Sequence, residues 1–154
     1  MKRVPSASLL GQVELVDTRI VFHKRGADRS GKCMMIKDEA NNFVAYGALF
    51  SIDADEVMLL DRFEGCGRGY DRQAILCQID NMEYRAFTYI AAADAINPLL
   101  NPFHWYKRLV LAGARYHQFP EHYISYLEGI ESIPDPDQER STLHERLLEE
   151  IERF

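Results

Sequence analysis

Leu59-Leu60-Asp61-Arg62-Phe63-Glu64-Gly65-Cys66-Gly67-Arg68-Gly69-Tyr70 sets three alternating glycines directly behind a run with helical spacing. A dinucleotide-binding fingerprint needs GxGxxG between a strand and a following helix, because the pyrophosphate rests on that helix's N-terminus. Context and spacing both differ here, which removes the doubly wound nucleotide-binding class. What remains locally is a helix ending at Gly65 and a glycine-rich turn into Tyr70. Upstream, Asp53 reads as the N-cap of that helix, with Glu56 three residues on to complete a capping box. The helix is therefore expected from there to about Glu64.

Working outward, Phe43 to Ile52 is nearly all apolar and reads as a strand covered on both faces, although periodicity alone leaves a buried helix open. Gln12 to Lys24 alternates β-branched and polar residues and reads as strand. Lys24 to Lys32 is turn-rich, and Cys33 to Ile36 is a short strand. Tyr70 to Asp80 and Met82 to Ala92 form a hairpin around Asp80-Asn81. Asn101-Pro102 signals a helix start ahead of Trp105, Tyr106, Leu109 and Val110, and Phe119-Pro120 another with Tyr123, Ile124, Leu127 and Ile130 inward. After Pro134-Asp135-Pro136-Asp137, a charged helix sets Leu143, Leu147 and Ile151 on one stripe. Strands first, helices later and a hairpin between them indicate an α+β fold. The 154 residues suit one domain, 1–154, with 135–154 as a C-terminal helical extension.

Composition narrows the class further. Hydrophobic residues at 47% and charged residues at 27% fit a folded, water-soluble chain. The net charge of −6 and the scattered basic residues argue against a nucleic-acid partner; Lys24-Arg25 is the nearest approach to a basic patch and reads as solvated turn charge. No apolar run approaches the roughly 20 residues that span a bilayer, and no signal-type stretch opens the chain, so no membrane partner and a cytoplasmic location are expected. Cys33, Cys66 and Cys77 lack CxxC spacing and imply neither a disulfide framework nor zinc.

Among residues able to do chemistry, Glu64 stands out. At about 100° per residue it falls between Val57 and Leu60 on the helical wheel, within an arc that also holds Leu59 and Phe63. A carboxylate is thus aimed at the apolar side. Burying such a charge without a partner is expensive, and Asp61 one turn earlier adds repulsion, which is how a proton acceptor is tuned. Fraying of the helix end would instead leave an ordinary surface acid. His23, His104, His117, His122 and His144 show no metal-ligand spacing, so no metal and no cofactor are implied. Cys66 as a nucleophile would need a histidine close in space.

Leu60-Asp61-Arg62-Phe63-Glu64-Gly65 with Gly69-Tyr70 resembles the Leu-Asp-x-x-Glu-Gly…Gly-Tyr signature of the gamma-glutamylcyclotransferase family. Arg3-Val4-Pro5, Ser30-Gly31-Lys32, the strand from Val44 to Phe50 and the region from Tyr106 to Tyr123 resemble further family stretches in the same order, so the likeness spans Arg3 to Ile130. The resemblance implies a small mixed β-barrel flanked by helices. It implies that Glu64 is the catalytic base, that Gly65, Gly69, Tyr70 and Tyr106 adjoin the substrate, and that the ligand is a small gamma-glutamyl compound converted to 5-oxoproline. The glycine turn is expected to offer amide donors to the developing oxyanion. The family's opening aromatic-Gly-Ser-Asn loop has no counterpart. Tyr46-Gly47 continues as Ala48-Leu49 within a later strand, and reads as a strand glycine. Met1 is expected to fall where that loop should have ended, through a misassigned start or a real loss; a real loss would leave an unpaired edge favouring self-association or inactivity. A non-catalytic binding or interaction protein on the same fold is the alternative.

Overall fold

The computed structural model describes residues 4–153. Arg3, the first residue of the Arg3-Val4-Pro5 match, lies outside the described residues. The fold is α+β. Six strands, β1 (Ser8–Val16), β2 (Thr18–Arg25), β3 (Gly31–Lys37), β4 (Val44–Ser51), β5 (Tyr70–Ile79) and β6 (Met82–Ala91), are joined by four helices. These are α1 (Ala54–Glu64), α2 (His104–Tyr116), α3 (Glu121–Glu128) and α4 (Gln138–Ile151). The strands pair as three antiparallel two-stranded ladders, β1 with β4, β2 with β3 and β5 with β6. The α+β class is as expected, while among the described residues no closed barrel and no parallel ladder is found. Among the described residues no helix is long and apolar enough to cross a membrane.

The stretch expected as a single strand, Gln12 to Lys24, divides at Asp17, whose φ of 51° turns the chain left-handed. The Thr18 amide donates to the Phe43 carbonyl at 3.1 Å and the Asp38 amide to the Asp17 carbonyl at 2.8 Å. The chain thereby steps from one ladder to the next. At Asp80 and Asn81, φ values of 50° and 63° suit the two-residue hairpin turn whose twist matches its strands. The strand expected to be covered on both faces, now β4, buries only Ala45, and Phe50 and Ser51 are exposed. It has one ladder partner rather than a sheet on either side.

Helix α1 begins after Asp53, but its cap comes from far away in sequence. The Asp53 side chain makes no capping bond. The Ser6 hydroxyl accepts from the Asp53 amide at 2.9 Å and donates to the Glu56 carboxylate, which also accepts from the Ser6 amide at 3.1 Å. Helix α2 starts two residues later than Asn101-Pro102 suggests. Residues 101–103 stay extended because the Gly31 amide donates to Asn101 O at 2.9 Å and the Ile133 amide to Pro102 O at 3.0 Å.

The main core lies where Ile20 and Phe22 of β2 and Ala45 of β4 meet Leu111, Ala114, Tyr123, Ile124 and Leu127 of α2 and α3. A second core of Phe103, Trp105 and Leu148 holds α4. The face that α4 turns inward carries His144, stacked on Trp105 at 3.8 Å, Glu145 and Glu152, both paired with Arg108, and Leu148. Leu143, Leu147 and Ile151 remain exposed.

Candidate functional site

Four residues of α1, Val57, Leu60, Asp61 and Glu64, share its half-buried face, as expected from spacings of three and four. Leu59 and Phe63, expected on that side, are exposed. Glu64 is the last helical residue. Gly65 follows at φ 66°, where its amide donates to Arg62 O at 3.2 Å and closes the helix. Glu64 lines a cleft of about 390 Å³ together with Lys24, Arg25, Gly26, Gly65, Arg68, Gly69 and Asp94. Charged side chains therefore stand in the lining, where apolar surroundings alone were expected, because the end of β2 brings Lys24 and Arg25 against the glycine turn.

The repulsion expected from Asp61 is also relieved. Tyr89 donates to Asp61 at 2.6 Å and Arg72 to its other oxygen at 3.1 Å. Burial first and this hydrogen bond second raise the phenolic pKa of Tyr89. Neither Tyr89 nor Arg72 carries a motif by which sequence alone identifies it. Lys24, read from sequence as a solvated turn charge, also lines the cleft. Its ammonium sits 4.5 Å from the Tyr70 ring centroid, and burial lowers its pKa while the charge of Glu64 opposes that change. Gly69 leaves room for it, since an added Cβ would come within 3.1 Å of Lys24 Nζ.

Tyr70 and Tyr106 both hydrogen-bond to the backbone of Cys33 in β3. Tyr70 donates to the Cys33 carbonyl at 3.0 Å, and the Cys33 amide donates to the Tyr106 hydroxyl at 3.2 Å. Burial dominates in raising the pKa of both phenols, Tyr106 to about 12, and the charge of Glu64 acts on both in the same direction. Glu64, Tyr70 and Tyr106 thus share one electrostatic neighbourhood, with Gly65 and Gly69 in the cleft itself.

The amide donors expected from the glycine turn are already engaged. Gly65 N donates to Arg62 O, Cys66 N to Asp61 O, Gly67 N to Tyr70 O, and Arg68 N and Gly69 N both to Gly65 O. A tight turn satisfies its own amides, so the polar groups facing the cleft are side chains. Among the described residues no three His, Cys, Asp or Glu side chains converge to hold a metal ion.

Residues 44–127 match the AIG2-like family. No curated protein matches the chain in sequence. In three dimensions the chain is similar to a gamma-glutamyl cyclotransferase, with a TM-score of 0.82 and 19% identity over 96% of this chain and 88% of the other. It is similar to an uncharacterized protein from Homo sapiens, with a TM-score of 0.79 and 20% identity over the same shares. YkqA from Bacillus subtilis gives a TM-score of 0.69 and 14% identity over 82% of this chain and 46% of that one. Likenesses at such identities establish the fold alone.

Proposed function

Because the chain belongs to the AIG2-like family, we propose that it releases 5-oxoproline from gamma-glutamyl compounds by intramolecular aminolysis, with Glu64 as general base and then general acid. The observation that carries this reading is that Glu64, the last residue of α1, lines a cleft large enough for a small molecule. The likeness in fold to a gamma-glutamyl cyclotransferase supports the same chemistry.

In such a substrate the free α-amine attacks its own γ-carbonyl, the five-membered ring closes, and the attached amine leaves. The nucleophile is tethered, and well-oriented intramolecular attack reaches effective molarities of about 10⁵ M or more. The protein's task is to hold the folded conformer and move protons. Glu64 takes a proton from the attacking nitrogen and returns one to the departing nitrogen, a role worth typically about 10²–10⁴-fold. Tyr70 and Tyr106 hold β3 in place through the amide and the carbonyl of Cys33.

Incubation with gamma-glutamyl-amino acids should yield 5-oxoproline, and Glu64→Gln should reduce the rate by at least about 10²-fold with an unchanged melting temperature. Equal turnover by that variant would reject Glu64 as the base. A second reading, an interaction protein on the same fold, is favoured by the exposed Leu143, Leu147 and Ile151 of α4. Absence of 5-oxoproline with every gamma-glutamyl probe would favour it. Loss of turnover in Cys66→Ser would point instead to thiol chemistry.

A further inference from the structure

We infer that the groove between β1 and the β5–β6 hairpin is a docking surface for an extended, basic segment of another protein. The groove shares no lining residue with the cleft at Glu64, so the inference is independent of the cyclisation reading.

The groove encloses about 940 Å³, more than twice the space at Glu64. Its walls are strands. β1 has a ladder partner only in β4 and β5 only in β6, and no bridge joins β1 to β5 among the described residues. The two run past each other in opposite directions: a Cβ added at Gly11 would come within 3.2 Å of Ile79 Cδ1, and Glu14 to Val16 border the same hollow as Gln73 to Leu76. A strand edge without a ladder partner offers its alternate amides and carbonyls to another extended chain. Folded proteins commonly guard such edges with charge. Charges of one sign turn away only partners of that sign, so the guard itself makes the edge selective.

The sign here is uniform. The charged residues of the lining are Glu14, Asp80 and Glu83, all exposed and all without an ion-pair partner among the described residues. Arg72 and Arg85, the bases of the hairpin, lie outside the lining, and Arg72 is engaged by Asp61. Apolar surface is interleaved with the acids. Alternate residues of a strand share a face, which puts Val16 beside Glu14 and Leu76 beside Gln78, and Val16 and Leu76 are 64% and 65% exposed. The matching partner is an extended chain that alternates lysine or arginine with apolar residues. A second copy of this chain does not match, because its net charge is −6 and a two-fold contact would set the same acids against one another.

The test follows the fluorescence anisotropy of a fluorescein-tagged octapeptide that alternates lysine and valine. A glutamate–valine octapeptide and a backbone N-methylated lysine–valine octapeptide serve as controls. The lysine peptide should bind the full chain with a micromolar Kd that weakens as salt is raised, since exposed charges are screened, and neither control should bind. Glu14→Gln, Asp80→Asn and Glu83→Gln should each weaken binding about two- to fivefold, and the triple variant about tenfold or more, at an unchanged melting temperature. Asparagine is chosen at residue 80 because it tolerates the left-handed φ of 50° there. Glu14→Lys combined with Glu83→Lys should transfer the preference to the glutamate peptide. Amide hydrogen exchange in β1 and β5 should slow on binding, with α1 unaffected. Glu64→Gln should bind as the wild type does, which keeps this result apart from that of the turnover assay. Absence of binding, equal affinity for the N-methylated peptide, or an affinity untouched in the triple variant overturns the inference. So does a dimer, detected by sedimentation, that the triple variant abolishes, because the occupant would then be a second copy.

Discussion

Helix α1 has no buried residue, whereas α2 buries Trp105, Leu111 and Ala114. The helix bearing the proposed base is held chiefly by polar contacts: Ser6 and Glu56 at its start, Arg72 and Tyr89 on Asp61 near its end, and the Gly65 cap. The helices opposite are held by apolar packing and by an ion pair under cover, with Leu127 and Leu148 almost fully enclosed. Polar clamps fix direction at modest net stabilisation, since each hydrogen bond replaces one to water. Apolar burial supplies most of the stability. The two sides therefore divide the labour, one setting where a carboxylate points and the other keeping the chain folded.

The largest effect that would sharpen this contrast is Leu148→Ala, expected to cost about 3 kcal/mol by creating a cavity at the α4 contact. Urea denaturation checks it, and a cost under about 1 kcal/mol would break the comparison. Next is Asp135→Asn. The Asp135 carboxylate has 0% of its surface exposed and accepts from Arg140, from Trp105 Nε1 at 2.8 Å and from the Asp137 amide at 2.9 Å. The Arg140 hydrogen bond above all holds its pKa well below the usual carboxylate range. A depressed folded-state value contributes stability above the unfolded value and loses it as the pH falls further. Below about pH 4 the wild type should therefore lose stability that the variant never had, while at neutral pH the variant should be weaker by about 2 kcal/mol. Thermal melts across pH 2–7 provide the measurement. Gly65→Ala should cost about 1 kcal/mol through its left-handed backbone, with free space around the new methyl, and it should lower turnover by disturbing the end of α1. Leu59→Ala, at 42% exposure on α1, should stay within about 0.5 kcal/mol.

The elements that could be read from sequence are those whose causes are local. The end of α1 follows from Gly65, and the hairpin follows from Asp80-Asn81, because turn and C-cap chemistry acts over a few residues. Distant partners were hidden. Ser6 caps α1 across 47 residues, and nothing near Asp53 reveals that its own side chain stays unused. The break at Asp17 depends on Phe43 and Asp38, so an alternating run looked continuous. The side of α4 that faces inward was equally unreadable. Leu143, Leu147 and Ile151 form the regular stripe, yet Leu148 is the residue that Trp105 and its neighbours enclose. In the candidate site, Glu64 was legible because helical spacing points it inward. Lys24 reads from sequence as a solvated turn charge because a charge beside a turn carries no sign of what folds against it.

The three cysteines occupy unlike surroundings, with a practical outcome. Burial pushes the Cys33 thiol up to about 12 and raises that of Cys77, while Cys66 stands exposed in the turn next to Glu64. Thiolate is the form that alkylates, so a maleimide dye should attach at Cys66 alone. The wild-type chain thus carries a natural handle for a fluorophore in the glycine turn, one residue from Gly65 of the cleft, where emission would report ligand arrival without any engineered residue.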